Sequence, residues 1–280
     1  MARKRADEKG AETAELLRSA ARSLKGGDAA AAESFARRAL ALSPSERGAL
    51  YLHGLALLSL GQAAAAVEPL KGAAEGNPDP AVETNLATAL AQSGKKKEAL
   101  AWLERAASRI PPFAPAFFRL GVVLHLHHRL IDAKAALRRA VELAETDGDP
   151  WLALGEVLSE LGEARAARAA YSRALSLRPG WRQARRGIAR TLMDEGDFTA
   201  AVAILRRLIE ENRTDARSIL DLAFSLQELG QFEEALNTYR QAYGVNPKAY
   251  KQAMHNLIGA SRGTFWLRSS DAAKRMPRPS

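Results

Sequence analysis

The chain has 280 residues, a formal net charge of +9 and no cysteine. The lack of cysteine excludes disulfides and thiolate chemistry, and no stretch approaches the roughly 20 consecutive apolar residues of a transmembrane helix. The positive charge favours acidic partners (proteins, nucleic acid or anionic membrane), although arginines interleaved with acidic residues are more typical of a solvated helical surface.

The N-terminal segment, residues 1–12, begins MARKR and is predicted to be a basic, solvated tail. Electrostatic contact of this run with nucleic acid or anionic lipid is the alternative. The segment lacks the apolar core, about 7–15 residues long, of a secretion signal. The sequence therefore predicts a soluble cytoplasmic protein.

From residue 13 onward the apolar residues follow the helical spacing i, i+3, i+4, i+7, and no segment alternates as a strand does. This pattern recurs with a period of about 34 residues. We predict seven units, at residues 13–46, 47–79, 80–113, 114–147, 148–181, 182–215 and 216–249. Residues 250–261 are predicted to form a C-terminal capping helix, followed by a tail, residues 262–280.

Two columns of the repeat hold only small residues, and helices can approach closely only where side chains are small. The first column is Ala32, Ala66, Ala99, Ala133, Ala167, Ala201 and Ala235. The second column is Ala20, Gly54, Ala87, Gly121, Gly155, Ala189 and Ala223. Glycines that suit a left-handed turn recur between the two helices of a unit: Gly27, Gly61, Gly94, Gly162, Gly196 and Gly230. Prolines that stop the second helix recur at its end: Pro44, Pro78, Pro111, Pro179 and Pro247.

These columns resemble the tetratricopeptide repeat. The fifth unit matches every signature position of that family, with Trp151, Leu154, Gly155, Leu158, Ala167, Tyr171, Ala174 and Pro179. The first unit is weaker, because Phe35 stands one place early for the aromatic column, and the sixth has Leu208 and Arg213 where Ala and Pro are usual. The resemblance implies an all-α fold, a right-handed α-solenoid of tandem helix-turn-helix repeats with one concave face.

No catalytic, cofactor-binding or metal-binding motif is found, so we expect no enzyme activity, no cofactor and no metal. The cluster HLHHRL is the one candidate metal site, because His125 and His128 lie three apart on one helix. No cysteine is available and no nearby carboxylate completes a ligand set. His128 occupies the turn column where other units have glycine, and we expect an exposed turn there.

In this family the concave surface is lined mainly by one stripe of first-helix residues. Carried onto this sequence, the predicted stripe is Leu17, Ala21, Tyr51, Leu55, Thr84, Thr88, Phe118, Val122, Leu152, Glu156, Arg186, Arg190, Leu220 and Phe224. An exposed apolar stripe usually marks a partner surface. The alternative is that the array ends or the tail close over it. A family clamp for chaperone C-termini is disfavoured, because only Asn85 and Arg119 match it.

Arg186 and Arg190 lie four apart within the predicted stripe, with apolar positions on both sides along the array. They are predicted either to anchor an acidic group of a ligand or to pair with Glu156, Asp194 and Asp221 of the chain itself. Arg182 and Arg185 are expected nearer the edge.

The sequence favours a non-catalytic scaffold that binds a protein or peptide with acidic and apolar groups. The alternative is an accessory subunit of an enzyme or envelope-assembly system, for example in glycosyl transfer. Polyanion or RNA binding is a third option, but nucleic acid is not the expected partner because no aromatic stacking platform accompanies the charge. Phe265–Leu267 in the tail are predicted to cover the last helix, or else to dock onto a partner or the protein's own groove.

Overall fold

The computed structural model describes residues 2–76, 78–258 and 274–275, with side chains described for 8–76, 78–256 and 274–275. In this part of the chain the fold is all-α, with fifteen helices and no strand. The helices are α1 Ala2–Lys25, α2 Ala29–Leu42, α3 Arg47–Ser59, α4 Ala63–Ala74, α5 Pro80–Gln92, α6 Lys96–Ala107, α7 Ala114–Leu126, α8 Leu130–Leu143, α9 Gly148–Glu160, α10 Ala164–Leu177, α11 Arg182–Asp194, α12 Phe198–Glu211, α13 Ala216–Glu228, α14 Phe232–Val245 and α15 Ala249–Ile258. None of these helices is both long enough and apolar enough to cross a bilayer.

The helices form two compact units, residues 1–145 with α1–α8 and residues 146–280 with α9–α15. Within each unit, consecutive helices pack as hairpins joined by short turns. Each predicted repeat from the second to the seventh holds one such helix pair, and α1 begins upstream of the first. In the second unit, α15 packs Ala253 and Met254 against the buried Tyr239 of α14.

The turns between the two helices of a repeat need a residue in the left-handed conformation. Gly61 adopts φ of 74° there, and the amide of Gln62 donates to the carbonyl oxygen of Leu57 at 2.8 Å, which closes the helix end. His128 adopts φ of 55° at the equivalent place, as the sequence predicted. The amide of Arg129 then donates to the carbonyl oxygen of Leu124 at 3.0 Å, so the histidine substitutes for glycine without changing the turn.

The small column of the first helix packs against a large side chain of the second helix, sixteen positions further along the chain. A Cβ added at Gly121 would lie 2.5 Å from Cγ of Leu137, and a Cβ added at Gly155 would lie 2.7 Å from the Tyr171 ring. Leu137 is fully buried. The column is small because the space above the backbone is already filled.

This packing gives a first prediction. Gly121→Ala is expected to destabilise the first unit by about 1–3 kcal/mol, because the new methyl group forces Leu137 from its site. Urea unfolding followed by circular dichroism measures the change. The control is Gly244→Ala, since nothing lies within 4 Å of a Cβ at Gly244 of α14; this exposed change is expected to be neutral or stabilising. Equal effects of the two substitutions would contradict the packing account.

The N-terminal segment differs from the sequence prediction. Helix α1 begins at Ala2, so residues 2–12 are helical, whereas the sequence predicted a tail. Ala, Arg, Lys and Glu predominate there, and these strong helix formers extend the first repeat helix upstream. At the other end of the chain, the predicted apolar cluster Phe265–Leu267 lies outside the described residues.

Candidate functional site

The predicted stripe in the first unit has its polar groups engaged locally. The hydroxyl of Tyr51 accepts a hydrogen bond from Nδ2 of Asn85 at 3.0 Å, and the same amide nitrogen donates to the carbonyl oxygen of Ala81. Burial raises the pKa of Tyr51, although the bond from Asn85 opposes this. Thr84 is only 5% exposed and donates to the carbonyl oxygen of Pro80 at 2.6 Å. Asn85, one of the two clamp-like residues, is therefore already used within the protein.

The apolar members of the stripe in this unit are mostly half-buried. Leu17, Leu55 and Val122 are intermediate in exposure, whereas Ala21 is exposed. The guanidinium of Arg119 lies 5.6 Å from the centre of the Phe118 ring, within cation–π range. These stripe members are thus apolar, and Arg119 places a positive charge beside the Phe118 ring.

The second unit contains a cavity of about 410 Å³ between α11, α13 and α15. Its lining is Arg190, Met193, Asp194, Arg217, Leu220, Asp221, Phe224, Gln252 and Asn256, and we call this the C-terminal pocket. Three of these residues, Arg190, Leu220 and Phe224, belong to the predicted stripe. Phe224 is held by an edge-to-face contact with Phe198, with ring centres 6.1 Å apart.

The arginines of α11 divide into two sets. Arg182 binds Glu211 at 2.9 Å and Asp215 at 3.1 Å, and Arg185 binds Glu211 at 2.6 Å. These bonds lower the pKa of Glu211. Arg186 and Arg190 take part in no ion pair among the described residues. Arg182 and Arg185 thus join adjacent helices. The guanidinium groups of Arg186 and Arg190 keep N–H donors that no carboxylate of the described residues binds.

Asp221 carries the most perturbed carboxyl group of the C-terminal pocket. Burial raises its pKa to about 6, while the positive charges of Arg190, Arg186 and Arg217 act in the opposite direction and Asp215 adds to the rise. Burial likewise raises the pKa of Asp194, opposed by Arg190. Asp194 and Asp221, two of the predicted partners, thus interact with these arginines through their charge, without an ion pair to either arginine.

Two further members of the stripe behave differently. Leu152 is only 9% exposed, so it packs within its unit and offers little surface for a ligand. Glu156 is exposed on α9; burial raises the pKa of Tyr171, and the negative charge of Glu156 adds to this rise.

Sequence reasoning missed several lining residues of the C-terminal pocket. Arg217 lies three and four positions before Leu220 and Asp221, so helical spacing alone places it on their face. Gln252 and Asn256 of α15 also line the pocket, and Nε2 of Gln252 donates to Oδ1 of Asn256 at 2.8 Å. The predicted stripe ends before the capping helix, although the same helical period applies there. Within the described residues, no group of three or more potential metal ligands is found.

Family models match two stretches of the chain. Residues 127–253 match the family described as the TPR domain of cytochrome c-type biogenesis protein H, and residues 26–106 match anaphase-promoting complex, cyclosome, subunit 3. The chain is also similar to the putative cytochrome c-type biogenesis protein CcmH of Haemophilus influenzae, with 32% identity over 116 residues. That alignment covers 40% of this chain and 25% of the relative, so the chain spans about a quarter of that protein's length.

Solved structures, two of them described as TPR proteins, share the fold. YrrB, described as a TPR protein with an unusual peptide-binding site, has 24% identity and a TM-score of 0.60, covering 66% of this chain and 96% of its own. PilF of Pseudomonas aeruginosa has 18% identity and a TM-score of 0.66, covering 74% and 94% respectively. A thermophilic TPR protein of Thermus thermophilus has 26% identity and a TM-score of 0.53, covering 65% and 99%.

Proposed function

The chain belongs to the tetratricopeptide-repeat proteins, and from this we propose that it is a non-catalytic scaffold whose C-terminal pocket binds a segment of a partner protein. The observation that carries the proposal is the pair Arg186 and Arg190, which stand without an ion pair among the described residues, beside a pocket lined by Leu220 and Phe224. A ligand with an acidic group and bulky apolar side chains complements both features.

The contrast within α11 supports binding over a purely structural role for the two arginines. Arg182 and Arg185 already join α11 to the following helices through Glu211 and Asp215. Arg186 and Arg190 add positive charge at the pocket, and guanidinium groups are well suited to bidentate recognition of carboxylates. In an interface centre, such an arginine can dominate the binding energy.

The test is the double substitution Arg186→Ala, Arg190→Ala. We expect the variant to keep its helicity and to melt within a few degrees of the parent, because Arg190 is exposed, Arg186 is half-buried, and charges at a protein surface contribute about 0–1 kcal/mol to stability. Its affinity for the protein that co-purifies with the tagged parent chain is expected to fall at least about tenfold. Calorimetric titration with the purified partner measures the loss.

The matched control removes two exposed arginines from α12 of the same unit, Arg206→Ala, Arg207→Ala. This variant loses the same net charge and is expected to keep the partner. Full retention of the partner by the variant of Arg186 and Arg190 would end the binding claim. Equal loss in both double variants, with affinity falling steeply as salt rises, would instead indicate polyanion binding.

A second candidate function follows from the comparisons. The family match over residues 127–253 contains most of the C-terminal pocket, and the family and the curated relative are both described by cytochrome c-type biogenesis. This supports an accessory role in that process, which is one form of the predicted envelope-assembly function. Deletion of the gene in the native host should then reduce haem-containing c-type cytochromes, and the parent chain should restore them. Unchanged cytochrome levels would contradict this role.

The cytoplasmic location stays a prediction from the sequence.

A further inference from the structure

The carboxyl group of Asp221 lines the C-terminal pocket together with Arg190, and Arg186 is near enough to act on it through its charge. The charged and titratable groups that face it come from three elements: Arg186, Arg190 and Asp194 from α11, Asp215 and Arg217 from the start of α13, and Tyr239 from α14. Helix α15 contributes Gln252 and Asn256, which are uncharged. Asp221 is therefore an internal counter-charge of this arginine cluster, together with Asp194 and Asp215.

An acidic ligand in this pocket would compete with Asp221. Both carboxylates would draw on the same guanidiniums, and both would lie in a site that is partly withdrawn from water. Repulsion between like charges is strong where water screens poorly, and two carboxylates that share such a site do not both stay ionised easily. Uptake of one proton removes the repulsion and leaves the arginines to the ligand.

We infer that the C-terminal pocket binds the side-chain carboxylate of an acidic, apolar protein segment together with a proton taken up by Asp221, so that acidification strengthens binding. This inference rests on the proposed function and adds to it the regulation of the same site.

The titration of Asp221 sets the pH window. Burial raises the pKa of Asp221 to about 6, so the free pocket holds an ionised Asp221 at pH 7.5 and a neutral one at pH 5. A bound anion disfavours the ionised form further and raises this pKa again. Affinity for a ligand of constant charge therefore rises as pH falls from 7.5 through 6 and levels off below.

The experiment uses the full chain and the blocked peptide acetyl-Glu-Leu-Leu-amide, whose carboxyl group has a pKa of about 4.3 and stays ionised above pH 5.5. Chemical-shift titration gives the dissociation constant, which is expected to be about tenfold lower at pH 5.5 than at pH 8. By thermodynamic reciprocity, saturating peptide should move the midpoint of the Asp221 carboxyl titration upward by about one pH unit.

Asp221→Asn is the informative variant. It is expected to bind the peptide at pH 8 at least as tightly as the parent does at pH 5.5. The dissociation constant of this variant should not change between pH 5.5 and pH 8. Because the pKa of Asp221 is raised in the folded state, its ionised form is a cost to folding above about pH 6, so the substitution should not lower the melting temperature at pH 7.5. The control is Glu210→Gln, an exposed carboxylate of α12, which should keep the parent's pH profile.

Each other outcome is decisive. Peptide binding that is independent of pH in the parent overturns the inference while leaving the scaffold proposal in place, and so does an unmoved Asp221 midpoint. Failure of the peptide to bind at any pH overturns the inference, and the double variant of Arg186 and Arg190 then decides the scaffold proposal separately. Sodium hexanoate carries a carboxylate and an apolar chain without a peptide backbone; if it binds as tightly, the ligand is a small carboxylate and the protein-segment inference fails.

Discussion

Replacing Tyr239 by Ala is expected to lower the free energy of unfolding of the second unit by about 3–5 kcal/mol. Tyr239 is fully buried between α13, α14 and α15, where it packs against Ala223, Leu236 and Ala253. Ala223 belongs to the small column, and Tyr239 fills the space that this column leaves open. Truncation leaves a cavity that rigid helices on three sides cannot close. Urea unfolding followed by circular dichroism measures the loss.

Tyr239→Phe serves as the graded control, because it keeps the ring and removes only the hydroxyl. That hydroxyl donates to Oε1 of Gln227 at 2.9 Å, and Gln227 is itself only 1% exposed. An acceptor left buried without its donor costs about 1–3 kcal/mol, so this variant should fall between parent and Ala. A Phe variant as unstable as the Ala variant would show that the hydrogen bond, not the ring packing, holds this end of the unit.

Ala167→Trp is expected to destabilise the second unit by about 1–3 kcal/mol or more, because it overpacks a helix contact where Tyr239→Ala would leave a cavity. Ala167 lies on α10 with no exposed surface, in the column that is alanine in every repeat. A side chain of Trp size cannot enter without separating α10 from the helices packed on it. Thermal unfolding by calorimetry, compared with the parent chain, reports the change.

Ala169→Trp, two positions further on the same helix, is the matched control. Ala169 is exposed, so the same substitution adds a ring to the surface and should change stability by less than about 0.5 kcal/mol. If both tryptophan variants melted like the parent, the assignment of the alanine column to a helix contact would be wrong.

The repeat architecture was predictable from the sequence because its packing repeats. A column that is small in every unit, such as Gly121 and Gly155, indicates a close approach whatever the identity of the partner residue. The partner, a large buried side chain sixteen positions later, became visible only in the structure. His128 was recognisable as a turn residue for the same reason, since it stands in a column that is otherwise glycine.

The C-terminal pocket was only partly predictable. The family stripe located Arg190, Leu220 and Phe224 in one place, and the structure brings all three to the same cavity. The stripe also included Thr84 and Leu152, which are buried. The helical period predicts the direction in which a side chain points, but it does not predict whether a neighbouring helix covers that side chain. Gln252 and Asn256 were missed because the predicted stripe stops short of α15.

By itself, the sequence determined the helical repeats, the positions of their turns and the face that carries Arg186 and Arg190, because these depend on the local period of the chain. Only the tertiary structure decided which arginines are engaged. Arg182 and Arg186 stand four apart on α11, yet Arg182 meets Glu211 and Asp215 whereas Arg186 forms no ion pair among the described residues. That difference depends on where carboxylates 29 and 33 positions away are placed by the packing of α12 and α13, and no local pattern encodes it.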